Sequence, residues 1–493
     1  MHIVFGLLII AVVFSGCAPA PPNTSPFRQQ TGDPFVDAGD ELRACLINEI
    51  GQEAFNAVAT KQRPSTPQEI EAQKRCIDIV NSKLSQPTEQ LTEAEPAPGS
   101  TIPQRPEKPD EHSQNANFWS PLYTELTGCE EKEVIFTHAP LDINAIIAIE
   151  PQGELTDRIA GHITPGDHIG FQYLPEEKYK VYAVGDAVLK RVERNRNYFD
   201  LKGKNIKNYH LYFEYSCSLF DSYVHVTELA PELLAAEATL RELDAMLEPK
   251  DTNRNINVKI PVKAGQVLGF TAGYGLLGML TVDTTVTLPG FMSPNLYESE
   301  PWKIHAVPSF AYFAEPVKSQ LLAKNPRTKE PRGGKIDFDI EGKLVGNWFK
   351  KGTTYQGEVT RGYCGDYLCP YWDTHVAFVY DFVEPTQVRV SIGYDTRIAT
   401  NGPYGLKGNQ PDPQSIGIKD GLVKLELVAL DDIGKQFGYI TRGKALYTKS
   451  SNTVVGTMLV QMLGTRSIKF EVFPDKTATQ VSGFTEKAKI YER

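Results

Sequence analysis

A chain of 493 residues is too long for one ordinary hydrophobic core, so several domains are expected. With 51 basic against 61 acidic residues the net charge is −10, which argues against a broad basic surface for nucleic acid or anionic lipid. A hydrophobic fraction of 41%, with 22 Tyr and 23 Phe, describes a globular protein rich in strands.

Ile3 to Phe14 is an apolar run with the length of a secretory core segment, shorter than the roughly 20 residues a membrane span needs. Residues 1–16 therefore read as a signal peptide. The run ends in Phe14-Ser15-Gly16-Cys17, which resembles the bacterial lipobox. That resemblance implies lipidation of Cys17 and an extracytoplasmic protein anchored in the cell envelope through its lipid. The alternative is an ordinary cleaved signal with a chance cysteine. Residues 17–37, with Pro19, Pro21, Pro22 and Pro26, would be the lipidated tether.

Beyond Cys17 the cysteines number six, an even count that suits an oxidising compartment. Their placement suggests Cys45–Cys76, Cys129–Cys217 and Cys364–Cys369, one bridge per apparent domain, although sequence alone leaves the connectivity open. Residues 38–84 carry helical periodicity: Leu42, Cys45, Leu46, Phe55 and Val58, then Ile70, Ile77, Val80 and Leu84 after a Thr66-Pro67-Gln68-Glu69 start. Two helices this short bury too little to stand alone, so a disulfide-linked α-hairpin is expected. Residues 85–117, with Pro87, Pro96, Pro98, Pro103, Pro106 and Pro109, read as a disordered linker.

From 118 to 324 β-type runs dominate: Val134–Thr137, Ile143–Ile149, Ile169–Tyr173, Tyr179–Val184, Ala187–Val192, Tyr209–Tyr215, Tyr223–Val226, Ile256–Val262, Val267–Thr271 and Leu280–Val286. Ala230 to Leu247 interrupts them with a helical pattern of Leu233, Ala236, Leu240, Leu243 and Leu247. After a polar break at Asn325–Gly334, short strands separated by Gly- and Pro-containing turns predict a C-terminal antiparallel β-barrel over 334–493. The whole is a mainly β, multidomain architecture.

The richest chemistry lies in GHITPGDH, where His162, Asp167 and His168 stand close together, with His225 later in YVHVTEL. Such a grouping suits a divalent-metal or hydrolase site; the plainer reading makes them hydrogen-bonding residues around a Pro165-Gly166 turn. In the C-terminal region Trp348, Trp372, His375 and Tyr380 could line a pocket for a sugar or apolar ligand, though aromatics at period two also build cores.

Residues 132–315 resemble the lysostaphin-type zinc endopeptidases, whose β-core is the duplicated hybrid motif. The resemblance rests on Val181-Tyr182-Ala183-Val184-Gly185-Asp186-Ala187-Val188, on the hairpin 209–229 ending at Tyr223-Val224-His225, and on Val262-Lys263-Ala264-Gly265-Gln266-Val267-Leu268-Gly269. It implies zinc held by an "H-x-x-x-D" pair and by the second histidine of "H-x-H". His162 to Asp167 is the candidate pair, with one residue too many; His138 to Asp142 has the right spacing but lies far upstream. The strand that should read "H-L-H-F-E" aligns as Met279-Leu280-Thr281-Val282-Asp283, so a proton-transfer histidine and a zinc ligand are both missing. His225 and His162 become vestigial catalytic candidates, with Asp283 a potential partner of either. His162, Asp167 and His168 remain candidates for a residual metal site. Gly346-Asn347-Trp348 is similar to the "G-x-W" signature of lipocalin-type calycins.

The expectation is an exported lipoprotein with no cofactor, whose peptidase-like domain binds cell-wall glycopeptide or a cell-envelope protein and no nucleic acid. A zinc-dependent cell-wall endopeptidase with displaced ligands is the first alternative. Small-ligand binding by the C-terminal barrel is the second.

Overall fold

The computed structural model describes residues 48–49, 75, 129, 131–155, 162–199, 205–246, 254–355, 374–393, 402–432 and 448–493. The chain divides into two compact units, Met1–Pro106 and Glu107–Arg493. In the first, Asn48, Glu49 and Arg75 are helical, and Arg75 donates to Glu49 at 2.7 Å. Cys17, Cys45, Cys76, Cys364, Cys369 and Trp372 lie outside the described residues.

The second unit is mainly β and built from antiparallel sheets. Its strands begin with β1 (Ala148–Glu150), β2 (Ile169–Gln172), β3 (Tyr179–Tyr182), β4 (Ala187–Phe199), β5 (Asn205–Glu214), β6 (Leu219–Val226) and β7 (Glu228–Leu229). Helices α1 (Pro231–Ala236) and α2 (Ala238–Ala245) precede β8 (Arg254–Val262), β9 (Val267–Thr271), β10 (Leu276–Asp283) and β11 (Ala306–Val307). The first sheet runs β1-β2-β10-β6-β5-β4-β8, with β11 also on β10; β3, β9 and β7 form a small second sheet.

The single helical pattern read over Ala230–Leu247 is two helices. Glu237 is extended (φ −141°, ψ 121°), and its carboxylate caps α2 by accepting from the Thr239 N–H at 3.2 Å. Leu233, Leu240 and Leu243 still reach the core, so the apolar period survives the break. Cys129 and Cys217 are joined by a disulfide, with Cα atoms 5.3 Å apart.

Alternation along the first sheet sorts its side chains onto two faces. Tyr209, Leu211 and Phe213 of β5, Tyr223 of β6, and Leu277 and Met279 of β10 pack into one core with the small sheet and both helices. Asp221 and Thr281 face the same way; they pair across the ladder, and their side chains meet at 3.5 Å. Burial pushes the Asp221 carboxyl well above the usual carboxylate range, partly opposed by hydrogen bonds from the Ser222 N–H and the Thr281 and Tyr215 hydroxyls. The opposite face carries His210 and Tyr212, then Phe220, Leu280 and Val282, which enter a second core with Phe291, Tyr297, Ala306, Phe349 and Tyr355.

After α3 (Val317–Ala323), the chain forms an eight-stranded sheet. Its members are β12 (Gly346–Lys350), β13 (His375–Tyr380), β14 (Val388–Ile392), β15 (Gly405–Leu406), β16 (Leu422–Asp432), β17 (Thr448–Gly464), β18 (Ser467–Pro474) and β19 (Lys489–Glu492). The order is β14-β13-β12-β19-β18-β17-β16-β15, an open path rather than a ladder closed all round. Its two edges meet at one point: Val390 and Tyr404 exchange both backbone hydrogen bonds at 2.8 Å.

The polar segment Asn325–Gly334, read as a break between domains, is tightly bonded. Arg327 is 3% exposed; its guanidinium donates to the Pro331 carbonyl at 2.6 Å and to the Phe382 carbonyl at 3.0 Å. Asn325 donates to the Arg332 carbonyl at 2.7 Å, and Gly334 bridges Gln152. Thr328 to Pro331 are exposed, but Asn325 and Arg327 are buried and polar because they satisfy buried carbonyls. Among the described residues, no helix is long and apolar enough to cross a membrane.

Candidate functional site

Five strands and a turn bring a row of imidazoles across the outer face of the first sheet. His162 and His168 flank the Pro165-Gly166 turn that leads into β2, with ring centroids 5.3 Å apart. His168 packs over Gly278 of β10, where a Cβ would stand 3.0 Å from the imidazole Cδ2 and 2.4 Å from Val224 Cγ2. His210 of β5 lies 6.2 Å from His225 of β6, and Glu193 of β4 is its ladder partner. Tyr274 stacks on His225 at 4.1 Å. Burial lowers the His210 pKa; Glu193 opposes that, and the nearby His168 adds to it. All four histidines are partly exposed.

His225 reaches this row through a backbone irregularity. Tyr209 pairs with Val226 and Leu211 with Tyr223, so His210 alone faces Val224 and His225. His225 takes up the extra length at φ 71°, a left-handed conformation uncommon outside glycine. Sequence reasoning missed His210. The signal was present, because Tyr209, Leu211, Phe213 and Tyr215 alternate inward and leave His210 on the other face.

Gly278 leaves the space that His168 occupies. Gly278→Ala is expected to displace His168 and to cost about 1–3 kcal/mol. Urea unfolding, with the His168 ring protons followed by NMR, checks this; unchanged stability and ring shifts would count against the close packing.

The carboxylate of the turn faces inward. Asp167 is 8% exposed, and the Gln152 side chain fixes its backbone by donating to its carbonyl at 2.7 Å. Its Oδ2 lies 3.4 Å from Nζ of Lys303, on the one-turn segment Pro301–His305, and its Oδ1 lies 3.4 Å from His168 Nδ1. Burial disfavours the charge on Asp167, but the Lys303 ammonium, with help from His168 and His162, overrides it and holds the carboxyl far below the usual range. Lys303 also stands 4.8 Å from the centre of the Tyr355 ring, and the Tyr355 hydroxyl bonds Glu300. Burial pushes the Glu300 carboxyl up to about 7; Lys303 opposes this and Asp167 adds to it.

β10 turns the two positions set against the family's histidines inward. Met279 and Thr281, each 1% exposed, point into the first core, away from the histidines. The residues on the histidine face are Gly278 and Leu280, one place along. Neither carries a metal-binding atom. Asp283 is committed elsewhere: it accepts from Thr285 and from the Tyr312 hydroxyl, both at 2.6 Å, and meets neither His225 nor His162. His138 and Asp142 sit in separate local contacts, with Thr137 and with the Asn144 N–H.

A zinc ion does not fit this set. A fixed ammonium against the Asp167 carboxylate repels a divalent cation. Among the described residues, no three His, Cys, Asp or Glu side chains are arranged to hold a metal.

Of the C-terminal candidates, His375 reaches the Asp167–Lys303 cluster through the Tyr355 ring, whereas Trp348 and Tyr380 are placed apart from it. Trp348 is fully buried in the second sheet's own core, its indole N–H donating to the Leu344 carbonyl at 2.8 Å and its face covered by Arg493 at 4.1 Å. His375 points to the other side, 1% exposed between Phe349 at 4.9 Å and Tyr355 at 5.1 Å. Burial, with a contribution from Lys303, pushes its imidazole down to about 3, against the hydrogen bonds it makes to the Tyr355 and Thr354 backbone. Tyr380 donates to Asp412 at 2.5 Å, and burial with that carboxylate raises its pKa. No protein-family model matches the chain, and no curated protein matches it.

Proposed function

We propose that the protein is an exported lipoprotein whose peptidase-like domain binds cell-wall glycopeptide, or an envelope protein that carries it, without cleaving it. The observation that carries this reading is the Lys303 side chain seated on Asp167. Its nitrogen, charged or linked, occupies the place beside this carboxylate that the family's metal would need. The histidine row then offers imidazole donors and acceptors beside an aromatic platform, Tyr274 on His225, which is a recognition surface rather than a hydrolytic centre.

The same reading has residues 38–84 as a helical hairpin, supported by the helical Glu49 and Arg75 and their ion pair. It has the second sheet closing into a small barrel, supported by the Val390–Tyr404 pair between its edges.

Sedimentation with purified cell wall tests the function. The protein is expected to pellet with the wall and release no soluble fragments, and His210→Ala with His225→Ala should weaken retention about tenfold, the effect of about 1.4 kcal/mol. Failure to pellet, or zinc-dependent release of wall fragments, sinks the proposal.

A further inference from the structure

We infer that Lys303 and Asp167 are the two halves of an intramolecular isopeptide bond, with Glu300 as the group that moves the protons. The inference goes beyond what the histidine row binds and does not depend on it.

Arg389–Asp381 and Arg493–Asp339 are as buried, but a guanidinium does not form this amide; among the lysine–carboxylate pairs of the described residues, burial of both partners sets Lys303–Asp167 apart. Lys178–Glu228, Lys263–Asp186 and Lys329–Glu384 are also ion pairs, but every side chain in them is at least 43% exposed, so water competes for both charges. In Lys303–Asp167 the side chains are 2% and 12% exposed. Water, which would favour the separated ions and hydrolyse the product, is largely excluded. The partners come from segments 136 positions apart, and each is held in place. Gln152 fixes the Asp167 backbone, and the Lys303 N–H donates to the Glu300 carbonyl at 3.0 Å. Folding has already brought the reactants together, and well-oriented intramolecular pairs react as though present at ~10⁵ M or more.

The chemistry balances without a cofactor. The Lys303 nitrogen attacks the Asp167 carboxyl carbon, a C–N bond forms and one C–O bond breaks. The ammonium gives up two protons, the departing oxygen takes both, and one water leaves. The ionised pair has first to pass to neutral amine and neutral acid, by moving one proton from the Lys303 nitrogen to the Asp167 carboxyl. Glu300, whose burial favours its proton-carrying form, stands three positions before Lys303 and is bonded to Tyr355, whose ring also meets the ammonium. It can give its proton to the leaving oxygen and recover one from the nitrogen.

Peptide mapping of the purified full chain tests this. After denaturation and trypsin digestion, the peptides containing Asp167 and Lys303 should appear as one species, lighter than their sum by one water. Trypsin should not cut after residue 303. Lys303→Arg, which keeps the charge but cannot form this amide, should give two separate peptides, and Glu300→Gln should leave most of the protein unlinked. Separate peptides from the wild-type chain after prolonged incubation at neutral pH would overturn the inference. So would a water-short species that persists in Lys303→Arg, because the loss would then arise elsewhere. A cross-link failure leaves cell-wall retention untouched, so the two proposals fail separately.

Discussion

Relative to the wild-type chain in its unlinked form, replacing Lys303 by Met is expected to lower the unfolding free energy by about 3–5 kcal/mol, the usual result of leaving one member of a buried ion pair behind. Asp167 is held ionised by that ammonium against its own burial. Methionine fills much of the same volume but leaves the carboxylate without its main compensation. The carboxyl must then take up a proton or draw water into the second core. The double variant Lys303→Met with Asp167→Asn should recover most of the loss, because neither charge then remains. Urea unfolding at neutral pH measures both. A single variant within about 1 kcal/mol of wild type would show that the pair does not hold the two halves together.

The second large effect is on acid stability. His375 is neutral when folded, with its imidazole pushed down to about 3, whereas an unfolded histidine titrates near 6.5. A group whose folded pKa is depressed contributes stability above its unfolded pKa and loses it as pH falls. The wild-type protein should therefore weaken between about pH 6.5 and 3, by on the order of 4 kcal/mol from this residue alone. His375→Gln keeps a polar side chain between Phe349 and Tyr355 but takes up no proton, so its stability should fall less steeply over the same range. Melting temperatures across that range compare the two proteins. Parallel curves would mean that another group governs the acid limb. Because Lys303 helps keep His375 neutral, Lys303→Met should also make that fall shallower.

Most of the first eleven strands were legible, since alternation over Ile169–Tyr173 and Ile256–Val262 reports directly which residues enter the core, whereas Val134–Thr137 is not a strand. The histidine row was legible only in part. His162, Asp167 and His168 announce themselves by proximity, but His210 needed the alternation of β5 to be taken as far as its outer face. Two features left no local trace. The left-handed turn at His225 depends on a mismatch with a neighbouring strand, and Pro301-Trp302-Lys303-Ile304-His305 gives no sign that its lysine is buried against a carboxylate 136 positions earlier. In β10 the two positions set against the family's histidines face the core, which spacing alone does not report because neighbouring places in a strand take opposite faces.

The bonded segment Asn325–Gly334 bears on how the gene can be divided. Its polarity invites a cut between an N-terminal piece and a C-terminal piece for separate expression. Such a cut would leave Phe220, Leu280 and Val282 uncovered on one piece and Phe349 and Tyr355 on the other, since all five share a core. Each piece would present an aggregation-prone surface. Arg327 would also lose the carbonyls of Asp381 and Phe382 that it bonds across the cut. The pieces on either side of Asn325–Gly334 have to be expressed and purified together, and an insertion point for a tag or fusion must be sought elsewhere.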